Sequence, residues 1–495
     1  MLEVGEITIQ EAHDGFKDGR FTAEELTSAF LKRIARWDKN GPRINSTMAL
    51  SGTALEEAKA LDDYFQEKRE LKGKLHGIPV LVPDQATTKG IATTYGSAVA
   101  GHNVPDGDAF VVTKLKEAGA VILGKTTLSE WPTPGFSANG ATASEFTKNP
   151  YNLDHGVRAS SGGSGAAVTA NFTILAVGED TGGSIRVASS FCNIVGLRPT
   201  PGLISRTGFY SLIETQDTPG PMARTVTDCA LMLDCMVGFD RRDGFMGLAE
   251  MVKGRLPQGG SYTAFLDRGV CMIKTARIGV IRQRFGPDSD PYCRAVNRVV
   301  WAAIDELRSE RNTFIDVHID DLDYHMNNLL TKLQRSRRDT TGPLISDPLM
   351  TKPYIPHAIA DLPSTLYDIP DDLKKPSDGL IFREQRELKC EVNGLIESLG
   401  LDALILPDVQ VPPPRFEDAT NGRFMRDGEE YFPTNTSLAT ILHSPAISVP
   451  VGFTEDGLPV GMELIGRETQ DQFLLELAYG IEKKIGKRRA PPAPL

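Results

Sequence analysis

The spacing of apolar residues predicts helices and strands that alternate through the first half of the chain. Leu26, Phe30 and Ile34 recur at helical spacing, so we expect helices between residues 7 and 64. Short apolar runs then alternate with amphipathic stretches. The predicted strands are 77–82, 119–124 and 174–178, and the predicted helices are 109–117, 165–172 and 184–191.

The middle of the chain lacks a sustained period, and the alternating pattern returns near the end. Residues 238–275 and 320–376 carry Pro, Gly and charge, and we interpret them as excursions from the core. Strands at 402–407 and 445–450 and a helix at 474–481 follow. Alternating strands and helices favour an α/β fold with a largely parallel, buried sheet.

Charge and cysteine usage narrow the class of protein. The 495 residues contain 54 Lys and Arg against 65 Asp and Glu, a net charge of −11. Nucleic acids and anionic membranes attract clustered cations, so this balance argues against both as main partners. No apolar run is long enough to span a membrane. The six Cys form no CxxC pair, and together with the absence of a secretory signal they predict a cytoplasmic protein with reduced thiols.

One segment matches a phosphate-binding loop in its sequence pattern only. Residues 119–126, GAVILGKT, satisfy the pattern GxxxxGK[ST]. A phosphate loop exposes backbone N–H groups after a strand, whereas the interior of this segment is itself apolar and β-branched. We therefore interpret it as a buried strand. No HExxH or similar spacing indicates a metal, and we expect neither a metal nor a cofactor.

Two loops rich in Gly and Ser carry the most informative chemistry. Residues 160–165, SSGGSG, and 180–186, DTGGSIR, each precede a predicted helix. Glycine lets the backbone turn tightly, and a helix N-terminus adds positive potential. Residues 181–184 are thus suited to hold an oxyanion. Either loop alone is equally compatible with an ordinary turn.

Taken together, these loops and the segments around them resemble the amidase signature family, serine hydrolases that cleave carboxamides and some esters. The matching segments are HGIPVLV (76–82), TTYGS (93–97), DAFVVTKLKEAGAVILGKT (108–126), SSGGSGAA (160–167), DTGGSIR (180–186), GLRPT (196–200), DTPGPMART (217–225) and PAISVPVGFTEDGLPVGMELIGR (445–467).

This resemblance implies an α/β fold built on a large twisted mixed β-sheet with helices on both faces. It also implies a single domain over residues 1–495. The expected parts are N-terminal helices at 1–70, the signature core at 71–235, variable excursions at 236–400, and the rest of the sheet with a closing helix at 401–495.

The resemblance also assigns roles to individual residues. Ser184 corresponds to the nucleophile, and Ser160 to the serine that relays its proton. The oxyanion and substrate-binding positions it implies are Thr181, Gly182, Gly183, Ser161 and Asp180, with Arg186 as a supporting residue. His443 lies near another family segment, and we include it as a residue that lines the pocket.

Three positions depart from the family pattern. The family's catalytic Lys position holds Pro83, which has no titratable group and no N–H. The usual Pro-Gly-Gly before the serine pair is replaced by Val157, Arg158 and Ala159. Arg158 places a permanent cation beside the expected site, suited to a carboxylate or enolate, and we count it as a catalytic candidate; a structural ion pair is the alternative.

No other group is an obvious replacement for the lysine. Asp84, His155 and His443 remain candidates, although we expect His155 to lie in a solvated loop. Lys89 is expected at the surface, and Lys125 is expected to be structural.

Three functions are therefore open. The favoured hypothesis is a diverged enzyme that acts on a carbonyl- or amide-bearing small molecule without hydrolysis, by cyclisation, isomerisation or condensation. A resemblance of the N-terminal half to fungal secondary-metabolism homologues supports a biosynthetic role. The alternatives are an amidohydrolase or esterase with a substitute base, and a catalytically dead binding homologue. The expected partner is a small-molecule substrate, with no nucleic acid, no membrane and a possible homodimer.

Overall fold

We analysed a computed structural model of the chain. It describes residues 2–97, 100–130, 146–213, 215–247, 257–309, 311–326, 329, 378–419, 423–426, 429–430 and 432–492. Residues 248–256 and 330–377 of the predicted excursions lie outside the described residues.

The helices begin where the sequence supplies caps. The first two start with capping boxes, in which Thr8 pairs with Glu11 and Thr22 with Glu25, so each side chain satisfies a backbone N–H of the first turn. The α-helices are α1 (Ile9–Lys17), α2 (Ala23–Arg33), α3 (Ala54–Lys68), α4 (Phe110–Glu117), α5 (Gly162–Thr169), α6 (Ser184–Phe191), α7 (Val226–Met236), α8 (Gly269–Met272), α9 (Pro291–Leu307), α10 (Asp378–Ser398), α11 (Ser437–Ile441) and α12 (Asp471–Ile485).

Most strands are short and buried. They are β1 (Thr47–Leu50), β2 (Pro79–Pro83), β3 (Val121–Thr126), β4 (Lys148–Asn149), β5 (Asn152–Gly156), β6 (Leu175–Asp180), β7 (Val195–Arg198), β8 (Thr218–Ala223), β9 (Arg277–Ile281), β10 (Thr313–Val317), β11 (Ala403–Pro407), β12 (Met425–Arg426), β13 (Glu429–Glu430), β14 (Ala446–Phe453) and β15 (Pro459–Ile465).

Eleven strands form one mixed sheet in the order β1-β3-β2-β6-β8-β7-β14-β15-β11-β9-β10. The neighbouring strands β3, β2 and β6 run parallel to one another, as do β11, β9 and β10. From β6 to β11, each strand of the sheet pairs antiparallel with the next. The mixed sheet implied by the family resemblance is confirmed. The largely parallel sheet expected from alternation alone is wrong, because β8, β7, β14 and β15 join the centre of the sheet antiparallel to their neighbours.

The sheet is covered on both faces. Along β11, Ala403 and Ile405 belong to one buried apolar cluster, and Leu404 and Leu406 belong to another. Successive side chains of a strand point to opposite faces, so the two clusters lie on the two sides of the sheet. Both faces of the sheet are therefore closed to water along this strand.

The local predictions hold at most elements. Residues 121–126 of the GxxxxGK[ST] segment form strand β3, as expected, and not a phosphate-binding loop. The exception is β1, which interrupts a region predicted as helical throughout; it adds an antiparallel edge to β3. In the parts of the chain that the structure describes, no helix combines the length and apolar character needed to cross a membrane.

Two glycines test how tightly the helices pack. A Cβ on Gly269, at the start of α8, would lie 1.7 Å from the carbonyl oxygen of Glu476 in α12. We expect Gly269→Ala to lower the free energy of unfolding by about 1–3 kcal/mol, the usual cost of overpacking. Gly394 lies in α10 with nothing within 4 Å of its Cβ position. Gly394→Ala should instead raise that free energy by about 1 kcal/mol, because alanine favours the helix. Urea denaturation of both variants checks the pair, and equal effects would contradict the packing.

Candidate functional site

The loop that joins β6 to α6 carries the candidate nucleophile. Ser184 is the first residue of α6, and Gly183 before it has φ +127°. A Cβ on Gly183 would lie 1.8 Å from Thr436 Oγ1, so only glycine fits there. Thr436 Oγ1 in turn donates a hydrogen bond of 2.8 Å to the carbonyl oxygen of Gly182. The segment before α11 therefore holds this loop in place through Thr436.

The buried carboxylate of Asp180 holds the same loop through hydrogen bonds. Its carboxylate accepts hydrogen bonds from the backbone N–H groups of Gly183 (2.9 Å) and Ile185 (3.2 Å). Arg186 and Arg198 donate to it at 2.9 Å each, and all three side chains are fully buried. Burial alone would raise the pKa of Asp180, but the two guanidiniums hold it below its usual value. Asp180 and Arg186 therefore shape the loop.

The two Gly/Ser loops meet at the candidate serines. The backbone N–H of Ser160 donates a hydrogen bond of 3.3 Å to Ser184 Oγ. Ser161 Oγ donates to the carbonyl oxygen of Glu179 and accepts from the N–H of the same residue, both at 3.0 Å. The three serines that the sequence singled out are thus brought together at the carboxyl end of β6.

The residues before Ser160 adopt an unusual backbone and carry a buried cation. Ala159 has φ +82°, a conformation that favours glycine. The side chain of Arg158 is buried, and its guanidinium lies 4.3 Å from the centroid of the Phe432 ring. Such a contact stabilises the cation and orients it. Arg158, two residues before Ser160, is therefore held in place by an aromatic face.

Pro83 is the last residue of β2. The charged groups near it, Asp84 and Lys125, make hydrogen bonds that stabilise the fold. The carboxylate of Asp84 accepts N–H bonds from Thr94 (3.1 Å) and Gly96 (3.0 Å). Lys125 donates to the carbonyl oxygen of Ala86 and, at 3.3 Å, to a nearby threonine hydroxyl. Burial lowers the pKa of Lys125 to about 8, while the carboxylate of Asp84 opposes this shift. The structural role expected for Lys125 fits these contacts.

The two candidate histidines bond to other parts of the fold. His155 Nδ1 lies 2.7 Å from the carbonyl oxygen of Pro413, and the residue is buried, so the expectation of a solvated loop is wrong. His443 follows α11, and its Nε2 lies 3.0 Å from Nε2 of Gln385 in α10. Burial, with smaller effects of Lys389 and Arg198, lowers the pKa of His443 to about 4. Its imidazole is accordingly neutral near pH 7.

Sequence reasoning missed a buried carboxyl group near the end of β6. Glu179 lies fully buried at the end of β6 and accepts a hydrogen bond of 3.1 Å from Gln85 Nε2. Thr181 Oγ1 lies 3.3 Å from its carboxyl group and donates to Asp217 at 2.6 Å. The sequence does indicate that this carboxyl group is buried, because Glu179 directly follows the apolar run LAVG. Among the described residues, no group of three or more His, Cys, Asp or Glu is placed to hold a metal ion.

Proteins of known structure and name resemble this chain over nearly its whole length. A glutamyl-tRNA(Gln) amidotransferase subunit from Pseudomonas fluorescens is 31% identical, covering 96% of each chain. The same subunit from Alkaliphilus metalliredigens is 30% identical over 98% of each. The crystal structure of peptide amidase from Stenotrophomonas maltophilia matches with a TM-score of 0.79 and 29% identity, covering 99% of each chain.

These relatives contradict the predicted non-hydrolytic, biosynthetic function. Their names, amidotransferase and peptide amidase, point to amidase activity. The prediction treated the loss of one side chain at Pro83 as the loss of the reaction. The structure contains the contact between Ser160 and Ser184 and the hydrogen bonds that Asp180 makes to Gly183 and Arg198.

The predicted partners are also wrong. The exclusion of nucleic acid was inferred from net charge, and the small-molecule substrate from the family resemblance, yet two of the relatives are named as subunits of glutamyl-tRNA(Gln) amidotransferases. Net charge averages over the whole surface and does not exclude a local binding site of either sign, so it was a poor basis for excluding partners.

A model of one protein family covers most of the chain. It matches residues 25–475, which include both Gly/Ser loops and the strands that carry them. With relatives at 30% identity or more over the full length, this match establishes the membership that the motifs implied: the chain belongs to the amidase family.

Proposed function

We propose that this protein hydrolyses carboxamides with Ser184 as the nucleophile and Ser160 as the serine that relays its proton. The observation that carries the proposal is the hydrogen bond of 3.3 Å from the Ser160 N–H to Ser184 Oγ at the start of α6. It joins the two Gly/Ser loops at one oxygen atom, and it places that oxygen where the positive end of a helix favours negative charge. The amidase relatives support the same reaction.

The oxyanion of the tetrahedral intermediate is stabilised by the loop before α6. The backbone N–H of Gly183 donates a hydrogen bond of 2.9 Å to the carboxylate of Asp180, so it is already engaged. We therefore assign the oxyanion donors to the N–H groups of Gly182 and Ser184, with Thr181 and Ser161 positioning the loop. Preorganised donors of this kind are typically worth about 10²–10³-fold in rate each.

The proposed hydrolysis does not use a lysine at position 83. Pro83 supplies no proton acceptor, so the base lies elsewhere in the site. Arg158 adds a fixed positive charge next to Ser160 and favours substrates with a carboxylate near the scissile amide. His443 bonds to Gln385 of α10, and we assign it no role in this reaction.

Replacement of the nucleophile tests the function directly. Ser184→Ala should abolish hydrolysis of carboxamides, including peptide amides, because no acyl-enzyme can form. A fluorophosphonate should label the wild-type protein and not this variant, as seen by intact mass. Ser189→Ala provides the matched control, since it changes another buried serine of α6. Wild-type protein that neither hydrolyses a panel of carboxamides nor takes the label would refute the proposal.

Strain beside Ser160 provides a second test. A non-glycine residue held at positive φ typically costs about 1–3 kcal/mol, and glycine loses about 0.5–1 kcal/mol more chain entropy on folding. Ala159→Gly should therefore raise the free energy of unfolding by about 1 kcal/mol. Ala60, exposed in α3, is the control: Ala60→Gly should lower that energy by about 1 kcal/mol. Chemical denaturation distinguishes the two, and a destabilised Ala159→Gly variant would contradict the strain.

The names of the relatives favour a second candidate function. The chain matches a glutamyl-tRNA(Gln) amidotransferase subunit over 98% of both lengths. In such an assembly, this chain would cleave an amide and pass the nitrogen to glutamyl-tRNA(Gln) through partner subunits. Affinity purification from the native source, followed by an assay for glutaminyl-tRNA, separates this candidate from a free-standing amidase. An active, monomeric protein would exclude it.

A further inference from the structure

One peptide unit of the loop before Ser184 is hydrogen-bonded at both of its polar ends. Its N–H, which belongs to Gly183, donates to the carboxylate of Asp180 at 2.9 Å. Its carbonyl oxygen, which belongs to Gly182, accepts a hydrogen bond of 2.8 Å from Thr436 Oγ1. A peptide unit is planar, so its N–H and its C=O turn together. Asp180 and Thr436 therefore hold the orientation of the whole unit.

Steric restraint on this peptide unit is weak, because both residues that flank it are glycines. Rotation of the unit changes ψ of Gly182 and φ of Gly183, and in other residues a Cβ limits these two angles. Neither glycine has a Cβ, and Gly183 already has φ +127°. Hydrogen bonds, and not contacts of the loop's own side chains, therefore decide which way the carbonyl oxygen of Gly182 points.

The hydroxyl of Thr436 gives its single proton to this carbonyl oxygen. Thr434 Oγ1 lies 2.8 Å from Thr436 Oγ1. A hydroxyl donates one proton and can accept others, so with Thr436 donating to Gly182, Thr434 is the donor of the second bond. Removal of the Thr436 hydroxyl would leave the carbonyl oxygen of Gly182 free to turn.

The residue before Thr436 fixes the backbone that carries this hydroxyl. Asn435 is fully buried, and its Nδ2 donates to the carbonyl oxygens of Arg284 and Pro407, both at 2.7 Å. The carbonyl oxygen of Thr436 itself accepts from Arg186 at 2.7 Å. A backbone bonded on both sides cannot shift to follow the loop, so it sets the position of the hydroxyl.

We propose that Thr436 is a positioning residue for oxyanion stabilisation: its hydroxyl keeps the Gly182–Gly183 peptide in the orientation that the oxyanion donors require. The proposal rests on the amidase function argued above, in which the N–H groups of Gly182 and Ser184 stabilise the oxyanion. These two N–H groups belong to the peptide units on either side of the Gly182–Gly183 unit, so turning that unit redirects both. The effect of Thr436 should therefore appear in the transition state, where negative charge develops.

The test compares Thr436→Val with Thr173→Val. Thr173 is the matched control: it is also buried, and its Oγ1 lies 2.9 Å from the carbonyl oxygens of Pro79 and Leu175, at the opposite end of β6 from the loop. Each variant loses one buried hydroxyl, so both should lower the urea midpoint of unfolding by similar amounts.

Only the change at Thr436 should affect catalysis. Thr436→Val should lower kcat for a carboxamide by about 10²-fold, the lower end of the cost of losing one oxyanion donor, with KM nearly unchanged. Fluorophosphonate labelling of Ser184 should slow as well, because the tetrahedral adduct places an oxygen where the oxyanion forms. Thr173→Val should leave kcat, KM and the labelling rate as in the wild-type protein.

Two further variants separate the hydroxyl from the shape of the side chain. Thr436→Ser keeps the hydroxyl and should retain most of the wild-type kcat. Thr436→Ala removes the hydroxyl without placing a methyl group against the loop, so it keeps the test decisive if Thr436→Val folds poorly. The kcat of Thr436→Ala should fall as far as that of Thr436→Val.

The outcomes distinguish this role from the function on which it rests. Wild-type kcat in Thr436→Ala, with Ser184→Ala inactive, would overturn the role of Thr436 alone. Equal losses of kcat in Thr436→Val and Thr173→Val would also overturn it, because they would report a general loss of stability. A wild-type protein that shows neither hydrolysis nor labelling would overturn the amidase function and this role together.

Discussion

The turn that precedes Ser184 depends on one buried carboxylate. Asp180 joins two backbone N–H groups of the turn before Ser184 to the guanidiniums of Arg186 and Arg198. An unpaired charge at such a depth would cost several kcal/mol, so every partner has to be present for the loop to form. The result is rigidity: the turn that presents Ser184 cannot relax without breaking an ion pair in the core.

The ion pairs extend this constraint across the sheet. Arg186, on α6, also bonds to Glu463 on β15 and to the carbonyl oxygen of Thr436. Arg198, on β7, reaches the carbonyl oxygen of Gln216 at 2.6 Å. Glu463 and Thr436, both late in the chain, thus hold a loop from its first half.

The elements and the site differ in how far the sequence predicts them. Periodicity located β2, β3, β6 and α6, because each has a local pattern of apolar residues. It missed β1, whose pairing with β3 is a tertiary contact. The serines were found through Gly/Ser motifs. The buried carboxyl group of Glu179 was not, because the side chain that bonds to it, Gln85, lies 94 residues earlier in the chain.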